Sequence, residues 1–144
     1  MPDIVWIATG RSVDPEHDCT AFAAKLRLRS HHDMPALLRR TADVTRQLEH
    51  AHGLLGYAIA PHATAGMLWT VSAWRHRTDL LDFERSHAHR AAMRQLRDLL
   101  APSTLAVWTS SADQLPIGWG DVHARITAID ARASDRPDRR PTDS

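Results

Sequence analysis

Residues 66–93 read GMLWTVSAWRHRTDLLDFERSHAHRAAM, and within this stretch a strand pattern gives way to a helix pattern. The part from Met67 to Trp74 is rich in apolar, aromatic and β-branched residues, which favour a strand. After a polar break, Thr78 is expected to cap a helix, and a second short helix is predicted from Ser86. No other stretch brings together so many side chains that can do chemistry.

Working outward, the alternation and spacing of apolar residues predict the remaining elements. Strands are expected at 4–7, 21–29, 53–60 and 105–109, and helices at 34–50 and 119–131. The core order is therefore β-α-β-β-α-β, with an extra N-terminal strand and a C-terminal helix. This is the ferredoxin-like arrangement, an α+β fold with helices on one face of an antiparallel sheet. The other face must be covered or polar, and a second copy of the sheet would cover it in a two-fold homodimer.

Composition limits what kind of protein this is. The 144 residues predict one domain, 1–130, followed by a disordered polar tail, 131–144. The net charge of +1 gives no field that would attract nucleic acid or a membrane, and no apolar run is long enough to span a bilayer. The single cysteine, Cys19, excludes an intramolecular disulfide, and the N-terminus does not resemble a signal peptide, so a cytoplasmic location is expected.

Several common functional motifs are absent from the sequence. There is no zinc-binding spacing of cysteine or histidine, no glycine-rich dinucleotide or phosphate loop, and no Gly-x-Ser-x-Gly motif. The sequence therefore predicts no metal site, and the histidines and tryptophans become the candidates for chemistry. Packing is the favoured role for Trp69 and Trp108, whereas Trp74 shares a strand face with Ser72.

The run LWTVSAWRHRTDLLDFERSHAHRAAMRQL resembles the strand–helix signature of the dimeric α+β barrel superfamily, in particular its antibiotic-biosynthesis-monooxygenase-like members. In those proteins a strand of small residues and tryptophan, here 72–74, precedes a patterned helix. The matching helix positions are Leu80, Phe83, Ser86, His89 and Met93. GLLGY at 53–57 is similar to the strand after the first helix. The C-terminal half resembles an uncharacterised bacterial branch of the superfamily, and the strand–helix run also resembles spheroidene-monooxygenase-like proteins, which are linked to haem.

This resemblance covers residues 20–128 and implies the fold, a homodimer and a small-molecule substrate. It implies a tailoring enzyme, most simply a cofactor-independent oxygenase for an aromatic or polyketide-like secondary metabolite. In such oxygenases the substrate anion itself activates oxygen, so the protein supplies a dry cavity, a base and polar groups. The alternatives are a haem enzyme with His89 or His87 as iron ligand, a cyclase or isomerase, and a non-catalytic dimeric binding module.

The proposed catalytic residues are His89 as general base, Ser72 as an anion-holding group and Trp74 as a cavity wall. Substrate binding is assigned to a second set: Tyr57, Arg27, Phe83, Met93 and His87. His87 and His89 are separated by about 200° on a helix, so the two imidazoles are expected not to enter one pocket. The substrate and the exact reaction do not follow from the sequence.

Overall fold

The computed structural model describes residues 6–11 and 13–135, and the part of the chain it describes forms one five-stranded antiparallel sheet with four α-helices. The strands are β1 Ile7–Ala8, β2 Asp18–Leu28, β3 Leu54–His62, β4 Met67–Trp74 and β5 Leu100–Ser111. The helices are α1 Met34–Glu49, α2 Arg77–Arg85, α3 His87–Leu96 and α4 Trp119–Asp135. The strand order is β1-β3-β4-β2-β5, so the predicted ferredoxin-like α+β fold is confirmed.

Two glycines occur where β3 turns into β4 and where Trp6 packs on β3. Gly66 ends the β3–β4 connection with φ of 63°, a left-handed conformation that glycine adopts without a steric penalty. At Gly56 an added Cβ would lie 2.4 Å from the Trp6 indole nitrogen, so the absence of a side chain there lets the tryptophan pack directly on β3. This contact lies beside β1, which pairs with β3 through Ile7 and Ala8.

Side chains alternate between the two faces of the sheet, as the β4 pattern predicts. Trp69, Val71 and Ala73 belong to one buried cluster, whereas Trp74 packs in another with Tyr57. Helices α1, α2 and α3 lie on the face that carries Trp74. Helix α4, which is additional to the β-α-β-β-α-β core, lies on the opposite face, whereas the helices of the core share one face as expected.

Helix α4 is held on its face by apolar and polar contacts. Its side chains Val122 and Ile126 are 0% exposed, within the cluster that contains Trp69. His123 stacks on Trp69 with ring centroids 4.0 Å apart and planes 11° from parallel. Asp130 accepts hydrogen bonds from Lys25 and Thr104, and the Lys25 contact is the main cause that lowers the pKa of this carboxyl. The sheet face expected to meet a second copy is therefore covered by the chain itself, and the homodimer stays a prediction.

Other expectations about element boundaries differ from the structure. Pro102 lies inside β5 rather than before it, because β5 is an edge strand and one side of its backbone needs no ladder partner. Helix α2 begins after His76, and Thr78 lies within the helix instead of capping it. Residues 131–135, expected in a disordered tail, are helical because α4 continues through them, while 136–144 and the predicted strand residues 4 and 5 lie outside the described residues.

No helix within residues 6–11 and 13–135 is long and apolar enough to cross a membrane.

The packing of α4 predicts a large loss of stability when its buried centre is truncated. Ile126→Ala should lower the free energy of unfolding by about 2–5 kcal/mol, because the substitution leaves a cavity against the sheet. Urea denaturation followed by tryptophan fluorescence measures this change. The matched control is Thr127→Ala at the next, exposed position, which should change stability by less than about 0.5 kcal/mol. Equal small effects for both variants would contradict the docked position of α4.

Candidate functional site

A cavity of about 1090 Å³ lies between the sheet and helices α1, α2 and α3. Its floor is formed by rows of side chains that are neighbours across adjacent strands. Ser72 on β4 is paired with Tyr57 on β3 and with Phe22 on β2, and Thr70 is paired in the same way with Ile59 and Ala24. Successive residues of a strand point to opposite faces, so these rows alternate with rows that face α4. The strand register therefore determines which side chains form the cavity floor.

The roof of the cavity comes from the junction of α2 and α3. Ser86 separates the two helices with an extended backbone, φ −61° and ψ 145°, and its side chain accepts a hydrogen bond from the backbone nitrogen of His89 at 3.2 Å. This N-cap fixes the first turn of α3. The Phe83 ring lies 5.4 Å from Trp74 and 4.9 Å from His89, measured between ring centroids. The three rings therefore form a continuous wall from the floor to the helices.

His89 is the titratable side chain with the most distinctive surroundings in the cavity. Its imidazole is half-buried, and burial lowers its pKa below the ordinary value. The Nδ1 atom is buried and has no hydrogen-bond partner among the described residues. A buried nitrogen without a hydrogen-bond partner is rare in proteins unless a ligand or a water molecule bonds to it. His89 is thus neutral near pH 7 and able to accept a proton inside the cavity.

Ser72 and Trp74 form one hydrogen-bonded unit at the cavity floor. The Trp74 Nε1 donates to Ser72 Oγ at 2.9 Å, and both residues are buried. Because Ser72 accepts in this bond, its own hydroxyl hydrogen is left for another partner. The pair therefore presents a donor to the cavity and keeps the indole ring in one orientation.

Tyr57 has its phenol turned toward α1. The Tyr57 hydroxyl donates to Glu49 Oε1 at 3.2 Å. Burial, followed by the negative charge of Glu49, raises the pKa of the phenol, so Tyr57 remains protonated at neutral pH. It serves the cavity as an aromatic surface and does not compete with His89 as a base.

The structure brings together seven of the eight residues that the sequence assigns to the site. Those that line the cavity are His89, Ser72, Trp74, Tyr57, Phe83, Met93 and His87. Arg27 lies elsewhere: alternation along β2 turns it to the α4 face, where its charge helps to lower the pKa of Asp130. The structure thus gives no support for substrate binding by Arg27.

His87 and His89 both border the cavity, contrary to the expectation that their separation on the helix would keep them apart. The reason is that the cavity is large and extends around the first turn of α3. His87 lies exposed at its mouth, while His89 lies inside. Among the described residues, no group of three or more His, Cys, Asp or Glu side chains could hold a metal ion.

Sequence reasoning did not assign the charged side chains at the mouth of the cavity. These are Arg29, Glu84, Arg90, Arg94 and Arg97. Burial raises the pKa of the Glu84 carboxyl, despite the opposing effect of Arg77 and Arg85. The spacing of Arg90, Arg94 and Arg97 along and just after α3 is the signal that could have identified them, since helical spacing puts all three on one side.

Comparison with known proteins identifies the architecture. No model of a protein family matches the sequence, and no curated protein matches it. Among solved structures, Rv0793 of Mycobacterium tuberculosis matches with a TM-score of 0.57 and 21% identity, over 62% of this chain and 92% of that chain. An antibiotic biosynthesis monooxygenase matches with a TM-score of 0.57 and 10% identity, over 62% and 95% of the two chains. A candidate antibiotic biosynthesis monooxygenase from Nitrosomonas europaea gives a TM-score of 0.57 and 13% identity, over 62% and 95%.

The chain has the fold of the antibiotic-biosynthesis-monooxygenase-like proteins. The resemblance inferred from residues 20–128 is therefore confirmed at the level of the fold. Identities this low establish the fold and leave the reaction to the chemistry of the cavity.

The lowered pKa of His89 predicts a specific dependence of stability on pH. Below about pH 6.5, His89 of the unfolded chain binds a proton, whereas burial keeps His89 of the folded chain neutral. The free energy of unfolding therefore decreases as the pH falls from about 6.5 toward the folded-state pKa of His89. His89→Gln should therefore lose less stability than the wild type between about pH 7.5 and about pH 5.5. Urea denaturation at the two pH values tests this. The same loss in both proteins would mean that His89 is not held neutral by burial. His123→Gln should act in the same direction, since burial also lowers the pKa of His123.

Proposed function

We propose that this protein is a small-molecule tailoring enzyme, an oxygenase that needs no cofactor and acts on an aromatic or polyketide-like secondary metabolite. The observation that carries the proposal is the His89 imidazole, half-buried in a mostly apolar cavity with a buried Nδ1 that has no partner among the described residues. The fold supports the proposal, since structures that share it carry the name of antibiotic biosynthesis monooxygenases.

The proposed role of His89 is to remove a proton from an acidic CH or OH group of the substrate. The resulting carbanion or phenolate gives its electrons to O₂. For a CH₂ group that becomes a carbonyl, one oxygen atom enters the substrate and the other leaves in water with the two hydrogens. One O₂ is consumed for each water released, and no external reductant is needed. Burial serves this step because a neutral imidazole accepts the proton at neutral pH.

Two other features support the same chemistry. The hydroxyl of Ser72 is oriented by Trp74 and has a hydrogen to donate to an enolate or phenolate oxygen, which would stabilise the anion that forms. The rings of Trp74 and Phe83 provide a wall against which a flat substrate would stack. The sheet and three helices limit the access of water, which strengthens both interactions.

A haem enzyme is the second candidate, and the same imidazole favours it. A buried histidine nitrogen with no partner is also what a haem iron ligand requires, and arginines at a cavity mouth suit the carboxylates of a porphyrin. Bound haem would supply redox chemistry with oxygen, His89 would hold the iron, and the aromatic wall would flank the ring. Titration of the protein with haemin distinguishes the candidates: a Soret shift that His89→Ala abolishes would favour haem.

The proposal also includes a cytoplasmic location and a homodimer. The single cysteine, Cys19, fits a reducing compartment. Support for the dimer comes from the fold and from Leu105 and Val107, which are 54% and 41% exposed on the edge strand β5. An exposed apolar edge strand favours pairing with a second strand.

The central test is the replacement of His89. With anthrone, which carries one CH₂ between aromatic rings, oxygen uptake above the uncatalysed rate measures turnover. His89→Ala should lower this rate by about 10²–10⁴-fold, which is the usual contribution of a general base. His87→Ala should be milder, because that imidazole lies at the exposed mouth. The matched control is His50→Ala, an exposed histidine outside the cavity, which should leave the rate unchanged. Equal rates for wild type and His89→Ala would exclude the proposed base.

Sedimentation tests the dimer separately. The 16.1 kDa chain should sediment at twice that mass at micromolar concentration. Val107→Lys should shift it toward the monomer, because a lysine on the edge strand opposes pairing. A wild-type protein that sediments only as a monomer would contradict the homodimer.

A further inference from the structure

Charge is distributed unevenly around the cavity. The whole chain is nearly balanced, with 18 Lys and Arg against 17 Asp and Glu. The residues that line the cavity, in contrast, include four arginines and one carboxylate, Glu84. Burial raises the pKa of that carboxyl, and one carboxylate cannot balance four guanidinium groups. A mostly apolar cavity with a positive mouth focuses the field on an entering anion.

The four arginines, Arg29, Arg90, Arg94 and Arg97, are here called the arginine rim. Arg90 and Arg94 lie on α3, the helix that carries His89, and Arg97 caps its C-terminal end, so the three follow one another at helical spacing. Arg29 is held at the same end of the cavity, because its Nε donates to the Leu100 carbonyl at 3.0 Å. Side chains from two separate parts of the chain therefore border the same cavity.

No carboxylate of the described residues forms an ion pair with the arginine rim. All four side chains are exposed, and none takes part in an ion pair among the described residues. Elsewhere the chain does pair such groups, as Arg125 does with Asp121 at 3.0 Å. Guanidinium groups that are not already paired with a carboxylate bind one readily, because their planar fork matches two oxygen atoms.

Resting on the proposed function, we propose that the substrate is an aromatic carboxylic acid, whose carboxylate binds the arginine rim while its fused rings lie in the cavity against Trp74 and Phe83. The rim thereby orients the molecule as well as attracting it. With the charged end fixed at the mouth, the opposite end of the ring system is directed toward the imidazole of His89.

Helix α3 sets the length of this substrate. Arg94 and the capping residue Arg97 follow His89 by five and eight residues, which at about 1.5 Å per residue is about 8–12 Å along the helix axis. A body of two or three fused rings between the carboxylate and the reacting carbon spans this separation.

Paired probes of equal shape test the inference without reference to turnover. Calorimetry compares the binding of naphthoate with that of naphthamide, which has the same rings but no charge. At low salt naphthoate should bind roughly tenfold more tightly. The difference should shrink in about 1 M salt, where charges are screened beyond about 3 Å. Equal affinity of the acid and the amide for the wild type would overturn the proposal, as would failure of both probes to bind.

A double variant locates the effect. Arg94→Gln with Arg97→Gln should weaken naphthoate binding roughly tenfold and leave naphthamide binding unchanged. The matched control is Arg39→Gln with Arg40→Gln, which removes the same charge from exposed positions on α1 outside the cavity. Circular dichroism checks that both variants fold. Equal losses in the two double variants would mean that net charge, and not the rim, causes the preference, and would overturn the proposal.

The outcomes separate this inference from the proposed function. His89→Ala should retain the preference for naphthoate, since the rim does not depend on the imidazole. A protein that prefers naphthoate through its rim but shows no oxygen uptake dependent on His89 would keep the rim and reject the oxygenase. A protein that oxidises neutral anthrone through His89 and binds acid and amide equally would keep the oxygenase and reject the rim.

Discussion

The alternation of side chains along β4 is the constraint on which the rest of the structure depends. This strand pairs with β2 and β3 in the middle of the sheet, so its odd and even positions determine what each face can do. Trp69, Val71 and Ala73 form the apolar surface on which α4 packs, and Ser72 and Trp74 line the floor of the cavity. A shift of one residue in pairing would exchange the two sets and destroy both at once.

The cavity combines few polar groups with many apolar ones, and each polar group is held by a different element. Ser72 is positioned by the tryptophan two residues later on its own strand, and His89 by the serine that begins its helix. Such local hydrogen bonds keep side chains in place without long-range networks. The result is an imidazole and a hydroxyl presented to an apolar space, the combination that proton abstraction from a flat substrate requires.

Much of this arrangement follows from sequence patterns, because period-two and helical spacings are local. The pattern of residues 66–93 predicts the strand, the two short helices and the shared face of Ser72 and Trp74, and the structure agrees. The position of α4 does not follow from its own residues, since an amphipathic helix can pack on either sheet face and the choice depends on distant strands. Arg27 and Arg29 also could not be told apart from the sequence, because both occupy odd positions of the predicted strand 21–29. In the structure β2 ends at Leu28, and Arg29 lies at the cavity while Arg27 does not.

The position of α4 has a consequence for how the cavity floor responds to local opening. Strand β4 has the cavity on one face and the α4 cluster on the other, so undocking of α4 would expose Trp69, Val71 and Ala73 to water. Ser72 and Trp74 alternate with these residues on the same strand, so loosening of the far face would also loosen the cavity floor. Undocking of α4 would therefore weaken the binding of a ligand that α4 itself does not touch.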